Sequence, residues 1–173
     1  MKNFLNISDF SSKELREIIE EAKARKLKRK EWNKSAVDFD HPFAGKSMIM
    51  IFEKPSTRTR ISFDIAAKQL GGSSIILNPD VIHYGKGDES IKDTAKVLSE
   101  YADIIMIRTS LHKNLAEFAK HSNIPVINGL SEQSHPCQIM SDILTFEEIK
   151  GNIKDKTIIE NIFPMENQTS KEK

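Results

Sequence analysis

Phe52-Glu53-Lys54-Pro55-Ser56-Thr57-Arg58-Thr59-Arg60 follows the apolar run Met48-Ile49-Met50-Ile51 and opens a helical period that closes at Gly71-Gly72. Residues 48–72 therefore spell a strand, a polar turn and an amphipathic helix. Ser56 stands where an N-cap belongs, and Thr57 and Thr59 add hydroxyls to the first turn. A helix start offers unpaired N–H groups and the positive end of the macrodipole, which suit an anion. Cations are disfavoured there, so Arg58 and Arg60 point to a phosphate site. Two residues apart on a helix, they diverge by about 200° and cannot both face one point. Arg58 is expected to meet the anion, with Arg60 bracing the turn or reaching a neighbouring oxygen. The plainer alternative is a well-capped helix with two surface arginines.

Working outward, the same alternation repeats. On the N-terminal side, Ser8 or Ser11 is expected to cap a helix, Glu14 completing a capping box with Ser11, and its apolar positions are Leu15, Ile18, Ile19, Ala22 and Leu27, reaching about Trp32. Its basic run, residues 23–30, is read as a solvated face. Residues 35–46 are a loop. Ala44-Gly45-Lys46-Ser47 within it resembles the end of a phosphate-binding P-loop, but Asp40 replaces the first glycine and the segment precedes a strand. On the C-terminal side come strands at 73–77, 104–107 and 124–128, with helices from about Ser90, over 111–121 and over 137–149. One more strand begins at 157–159, and no period follows it. Strands alternating with helices predict an α/β fold, a parallel sheet flanked by helices with right-handed crossovers. In such sheets ligands bind beyond the carboxyl ends of the strands. The loops that matter are then 53–60, 79–89, 108–110 and 128–138.

Composition narrows the function. Lys and Arg total 26 against 25 for Asp and Glu, a net charge of +1. That balance gives no long-range field for nucleic acid or membrane, so anion binding has to be local. One cysteine, Cys137, excludes an internal disulfide and most cysteine metal sites. No signal peptide is visible and no apolar run nears the roughly 18 residues of a membrane span, so a cytoplasmic protein is expected.

Two further groups sit at the ligand-binding edge. Arg108 follows the most apolar strand, where a guanidinium can fork onto a phosphate and a carbonyl oxygen together. His135-Pro136-Cys137-Gln138 enters the last helix; His135 could polarise a carbonyl and Gln138 could bond an adjacent amide. A structural histidine and an exposed strand-end arginine are the bland alternatives, and Cys137 is most simply a small buried residue. No Asp/Glu/His cluster suggests a metal, and no serine or cysteine triad is evident. Chemistry without a covalent nucleophile would rest on positioning and charge stabilisation.

At these motifs the sequence resembles the aspartate/ornithine carbamoyltransferase family, over residues 3–158. Residues 52–60 carry the likeness, with Phe4-Leu5-Asn6-Ile7-Ser8-Asp9-Phe10, Ile91-Lys92-Asp93-Thr94-Ala95, Met106-Ile107-Arg108-Thr109 and His135-Pro136-Cys137-Gln138. The Phe-Glu-Lys lead-in and Cys137 favour the ornithine branch over the aspartate branch. The resemblance implies a carbamoyl phosphate-binding domain over residues 1–150, built on a four-stranded parallel sheet. It implies that Ser56, Thr57, Arg58 and Thr59 hold the phosphate beside Arg60, and that Arg108 reaches phosphate and carbonyl. His135 and Gln138, in the motif with Pro136 and Cys137, would hold the carbamoyl group, making Arg108, His135 and Gln138 the catalytic residues.

The family also implies a homotrimer in which the loop after the second strand reaches a neighbour's site; His83 falls where the ornithine branch has glutamine. No metal or cofactor is implied. The activity implied is transfer of a carbamoyl group from carbamoyl phosphate to the δ-amine of ornithine, giving citrulline and phosphate in arginine biosynthesis. Family members continue into a second domain that grips the amino acid. Residues 151–173 are expected to be a remnant of its start and a disordered tail, leaving the ornithine site missing and the chain with little or no activity. A non-catalytic carbamoyl phosphate-binding remnant or interaction subunit, and the aspartate branch, are the other readings.

Overall fold

Along β1 (Ser47–Phe52), side chains alternate between the faces of a sheet, and Met48, Ile49, Met50, Ile51 and Phe52 are all at most 8% exposed. A strand buried on both faces belongs to the middle of a parallel sheet. The computed structural model describes residues 2–78 and 89–154 and shows that sheet. After α1 (Ser12–Lys28) and β1 come α2 (Thr57–Gln69), β2 (Ser73–Leu77), α3 (Ile91–Ser99), β3 (Ile104–Arg108), α4 (His112–His121), β4 (Val126–Leu130) and α5 (Pro136–Lys150). The four strands run parallel in the order β2-β1-β3-β4, which is the α/β architecture expected from the sequence. The loop holding His83, the expected strand at 157–159 and the tail beyond it lie outside the described residues.

Two apolar layers sandwich the sheet. Ile49, Ile51, Ile105, Ile107 and Val126 pack on one face with Ile91 and Ala95 of α3 and Leu115, Phe118 and Ala119 of α4. Met48, Met50, Phe52 and Met106 pack on the other with Phe63 and Ala67 of α2 and with Phe43 and Ile127. The end of α2 is closed by glycine chemistry. Gly71, at φ +92°, donates to Lys68 O and Gly72 donates to Ala67 O, the paired bonds of a Schellman cap. A Cβ on Gly72 would lie 2.0 Å from Phe43 Cδ1, so the loop before β1 packs on bare backbone.

Two expectations are corrected and one contact is new. First, α1 ends at Lys28 rather than near Trp32. Its apolar stripe is mostly unburied: Ile19 is covered, but Ile18 is 43% and Leu27 74% exposed. Charge holds this helix instead. Glu147 of α5, its side chain 3% exposed, accepts Lys23 at 2.6 Å and Arg16 at 2.8 Å. Those hydrogen bonds, Lys23's foremost, pull its carboxyl down to about 2. Arg25 and Arg29 close on Asp38, which is 6% exposed. Second, β4 is shifted from 124–128 to Val126–Leu130. Pro125 has no N–H to give the ladder and only accepts, from Ile105 N. A register shift between Ile107 and Arg108 then extends pairing to Leu130. Third, Phe4 adds a parallel bridge to Ile127, donating to Val126 O and accepting from Asn128 N. That contact had no periodic signal in the sequence.

Candidate functional site

Strand order decides where a ligand can sit. From β1 the chain turns through α2 to β2 on one side, then crosses back to β3 on the other. The reversal lies between β1 and β3, and a doubly wound sheet opens a crevice there at the carboxyl ends. The loops leaving those two strands carry Ser56 to Arg60 and Arg108 to Ser110. Both sequence motifs thus converge on one place.

Ser56 is extended (φ −157°, ψ 114°), and its hydroxyl accepts from Thr59 N at 3.3 Å, so it is the N-cap of α2. Arg58 and Thr57 are exposed, at the helix start. Arg60 turns away: its guanidinium lies 5.0 Å from the centre of the Phe52 ring and donates to Asn78 Oδ1 at 3.3 Å. Thr59 Oγ1 accepts Arg108 Nη1 at 3.3 Å, which ties the α2 cap to the end of β3.

Arg108 and His135 are the electrostatic centre. Arg108 Nε and His135 Nδ1 are buried and have no hydrogen-bond partner among the described residues. Leaving such an atom unpaired costs about 1–3 kcal/mol. Burial lowers the pKa of Arg108. Burial, and secondly the charge of Arg108, push His135 below its usual value, while Asp142 opposes them weakly. His135 is therefore a neutral imidazole at pH 7, able to donate to a carbonyl without bringing a second cation to the site. Arg108 Nε, always a donor, and the ring nitrogen His135 Nδ1 are thus both left unsatisfied, and Arg108 reaches the capped start of α2 through Thr59.

The remaining motif residues are placed as follows. His135 is the N-cap residue of α5 without a capping bond, and Pro136 fills the first turn, fully buried. Cys137 Sγ lies 3.6 Å from Asn128 O, and burial pushes its thiol up to about 11, so it is no thiolate nucleophile at neutral pH. Gln138 is exposed and donates to Asp142 Oδ1 at 2.8 Å, one helical turn on.

Sequence reasoning missed the groups beneath these. Asn128, fully buried, donates to Leu5 O at 3.0 Å, Ser134 O at 3.1 Å and Ser131 Oγ at 3.3 Å, and accepts from Leu130 N at 3.0 Å. It thereby fixes the loop that delivers His135. Glu53 accepts from Thr109 Oγ1 at 2.5 Å and from Ser110 N at 3.2 Å. An asparagine inside an apolar strand was the one available signal for the first; a polar loop residue gave none for the second.

Fold and site together define a parallel α/β domain whose polar motif residues gather at the topological switch point. Comparison with known proteins gives that class a lineage. The sequence profile described as "Aspartate/ornithine carbamoyltransferase, carbamoyl-P binding domain" matches residues 2–148, and the chain belongs to that family. It is 52% identical over 157 residues to an ornithine carbamoyltransferase of Agrobacterium fabrum and 51% identical over 157 residues to one of Brucella ovis. Each alignment covers 91% of this chain, but 50% and 48% of those relatives. The solved ornithine carbamoyltransferase of Pyrococcus furiosus superimposes with a TM-score of 0.82 at 42% identity, covering 88% of this chain and 47% of that one. The chain thus spans about half the length of the curated relatives it matches.

Proposed function

We propose that residues 1–150 bind carbamoyl phosphate and serve ornithine carbamoyl transfer in arginine biosynthesis. The pair of buried, unpartnered atoms, Arg108 Nε and His135 Nδ1, carries this reading. Ser56, Thr57, Thr59 and Arg58 would take the phosphate oxygens, and Arg108 would bridge phosphate and carbonyl. His135 would donate to the carbonyl. Gln138 would accept the carbamoyl amide N–H at its Oε1 while its Nε2 keeps Asp142. The δ-amine of ornithine then attacks the carbonyl carbon, a C–N bond forms, the C–O bond to phosphate breaks, and the amine loses a proton. Arg108 and His135 stabilise the developing oxyanion, and the α2 start receives the departing phosphate. The ornithine acceptor, in place of aspartate, is favoured by the relatives named above; the family's amino-acid site belongs to its second domain. A cytoplasmic location is part of the same proposal.

Calorimetry with carbamoyl phosphate tests it. Wild type is expected to bind, and Arg58→Ala to bind about tenfold more weakly, the share of one charge-assisted hydrogen bond. Equal binding by the two would remove Arg58 from the site.

A homotrimer belongs to the proposal as well. Ile61 and Ile65, one turn apart on α2, are 57% and 38% exposed. Ser74 bonds Asp64 of α2, so the two-residue period puts Ile76, 36% exposed, on the same side of β2. This patch runs along the edge strand of the sheet, where a neighbour could cover it. Light scattering is expected to give the mass of three chains for wild type and a smaller species for Ile61→Lys. Identical masses would place the interface elsewhere.

A further inference from the structure

We propose that Glu53 is a positioning residue that sets Arg108 for the anion, an inference that rests on the anion-site reading above. Glu53 and Arg108 meet where β1 and β3 end, since Phe52 pairs with Arg108 in the sheet register. Three bonds from Glu53 straddle the arginine. Glu53 N donates to Arg108 O at 2.9 Å. Beyond Arg108, Glu53 Oε2 accepts both Thr109 Oγ1 at 2.5 Å and Ser110 N at 3.2 Å. Thr109 is 1% exposed and is itself pinned, its N–H to Leu130 O at 3.0 Å and its hydroxyl accepting Leu111 N at 3.1 Å.

This clamp has a specific job. The ladder between β3 and β4 slips between Ile107 and Arg108, and the regular register with β1 ends at Arg108, so strand pairing with β1 does not carry past the arginine. Glu53 supplies the missing constraint from the β1 side. It sends Thr109 into the protein, and strand alternation then turns Arg108 to the crevice, where Nη1 reaches Thr59. A displacement of about 1 Å in such a group costs much of its effect, so the clamp belongs to the binding machinery without touching the ligand.

The sign of the effect separates positioning from simple charge. Near an anion, a carboxylate acting only through its charge repels the ligand, and its removal would tighten binding. As a positioning group, its removal loosens Arg108 and weakens binding. One oxygen takes both bonds, so the single carbonyl oxygen of glutamine can replace it. Binding of carbamoyl phosphate is measured by calorimetry, with a thermal melt for each variant. The expected result is about tenfold weaker binding by Glu53→Ala and near-wild-type or tighter binding by Glu53→Gln. Should Glu53→Ala not fold, Thr109→Val removes the hydroxyl donor at nearly constant volume and is expected to weaken binding several-fold. Glu53→Ala binding as well as wild type, Glu53→Gln failing to rescue, or a folded Thr109→Val with unchanged affinity would each overturn the inference. A lowered melting temperature with unchanged affinity would assign Glu53 a structural role only. If wild type itself binds no carbamoyl phosphate, the anion-site reading fails and this inference falls with it.

Discussion

Arg108→Met is expected to weaken carbamoyl phosphate binding by about a hundredfold while raising the melting temperature of the chain. The two effects have one cause. Arg108 is buried far enough that its pKa is lowered, and no opposing carboxylate relieves it among the described residues. Among the described residues its Nε has no partner, and Nη1 finds only a neutral hydroxyl at 3.3 Å. A guanidinium held this way is a net cost to the fold, offset when an anion arrives. Methionine matches the aliphatic stem and removes the charge and the unpaired donor. Each kcal/mol regained should appear as roughly 2–4 °C in a chain of this size. Calorimetry and a thermal melt on the same preparation provide the check. Unchanged affinity would remove Arg108 from the ligand, and a fall in melting temperature would show that the guanidinium stabilises the fold. A gain in stability joined to a loss of binding is the mark of a site maintained at the expense of the fold.

How much of this was legible in the sequence depends on the range of the interactions involved. Local chemistry was readable. The Ser56 cap, the Ser11–Glu14 capping box and the glycine stop at Gly71 involve residues at most five apart, and all three are present. Apolar runs marked β1 and β3 as strands for the same reason. The divergence of Arg60 from Arg58 followed from the angular spacing of a helix. Burial of α1 was misjudged because periodicity counts apolar residues, whereas Ile18 and Leu27 stand exposed and the helix is held by ions from α5 and the following loop. The strand order was not readable, since it is set by which crossover goes to which side. Yet that order makes the gap between β1 and β3 the place where Ser56 and Arg108 meet. Contacts made by single residues across the chain, Phe4 on β4 and Glu53 on Thr109, leave no pattern to detect.

Asn128→Leu is expected to be the most destabilising single change, by about 3–5 kcal/mol, enough to take much of the stability of a domain of this kind. Leucine is close in shape but leaves Leu5 O and Leu130 N without the partner that fully buried Asn128 gives them, and takes one of its donors from Ser134 O. Those groups belong to the N-terminal segment, to β4 and to the loop before His135, so the loss spreads from core to site. A urea titration should show the midpoint falling well below that of wild type. Asn128→Asp separates lost packing from lost donors. It keeps an acceptor for Leu130 N but places a carboxylate against the carbonyl oxygens of Leu5 and Ser134. Burial and those oxygens favour the protonated acid, so its folded pKa must lie above the unfolded one. The sign follows by linkage: the folded state then binds the extra proton, and stability recovers as pH falls toward 5 and is lost again as it rises. Wild type should not show that recovery, since asparagine does not titrate. An Asn128→Asp protein as stable at pH 8 as at pH 5 would mean that the hydrogen bonds donated to Leu5 O and Ser134 O contribute little. The loop delivering His135 would then be held by Ser131 and Ser134 alone, through Ser131 N donating to Ser134 O at 3.0 Å and Ser134 N to Ser131 Oγ at 3.3 Å.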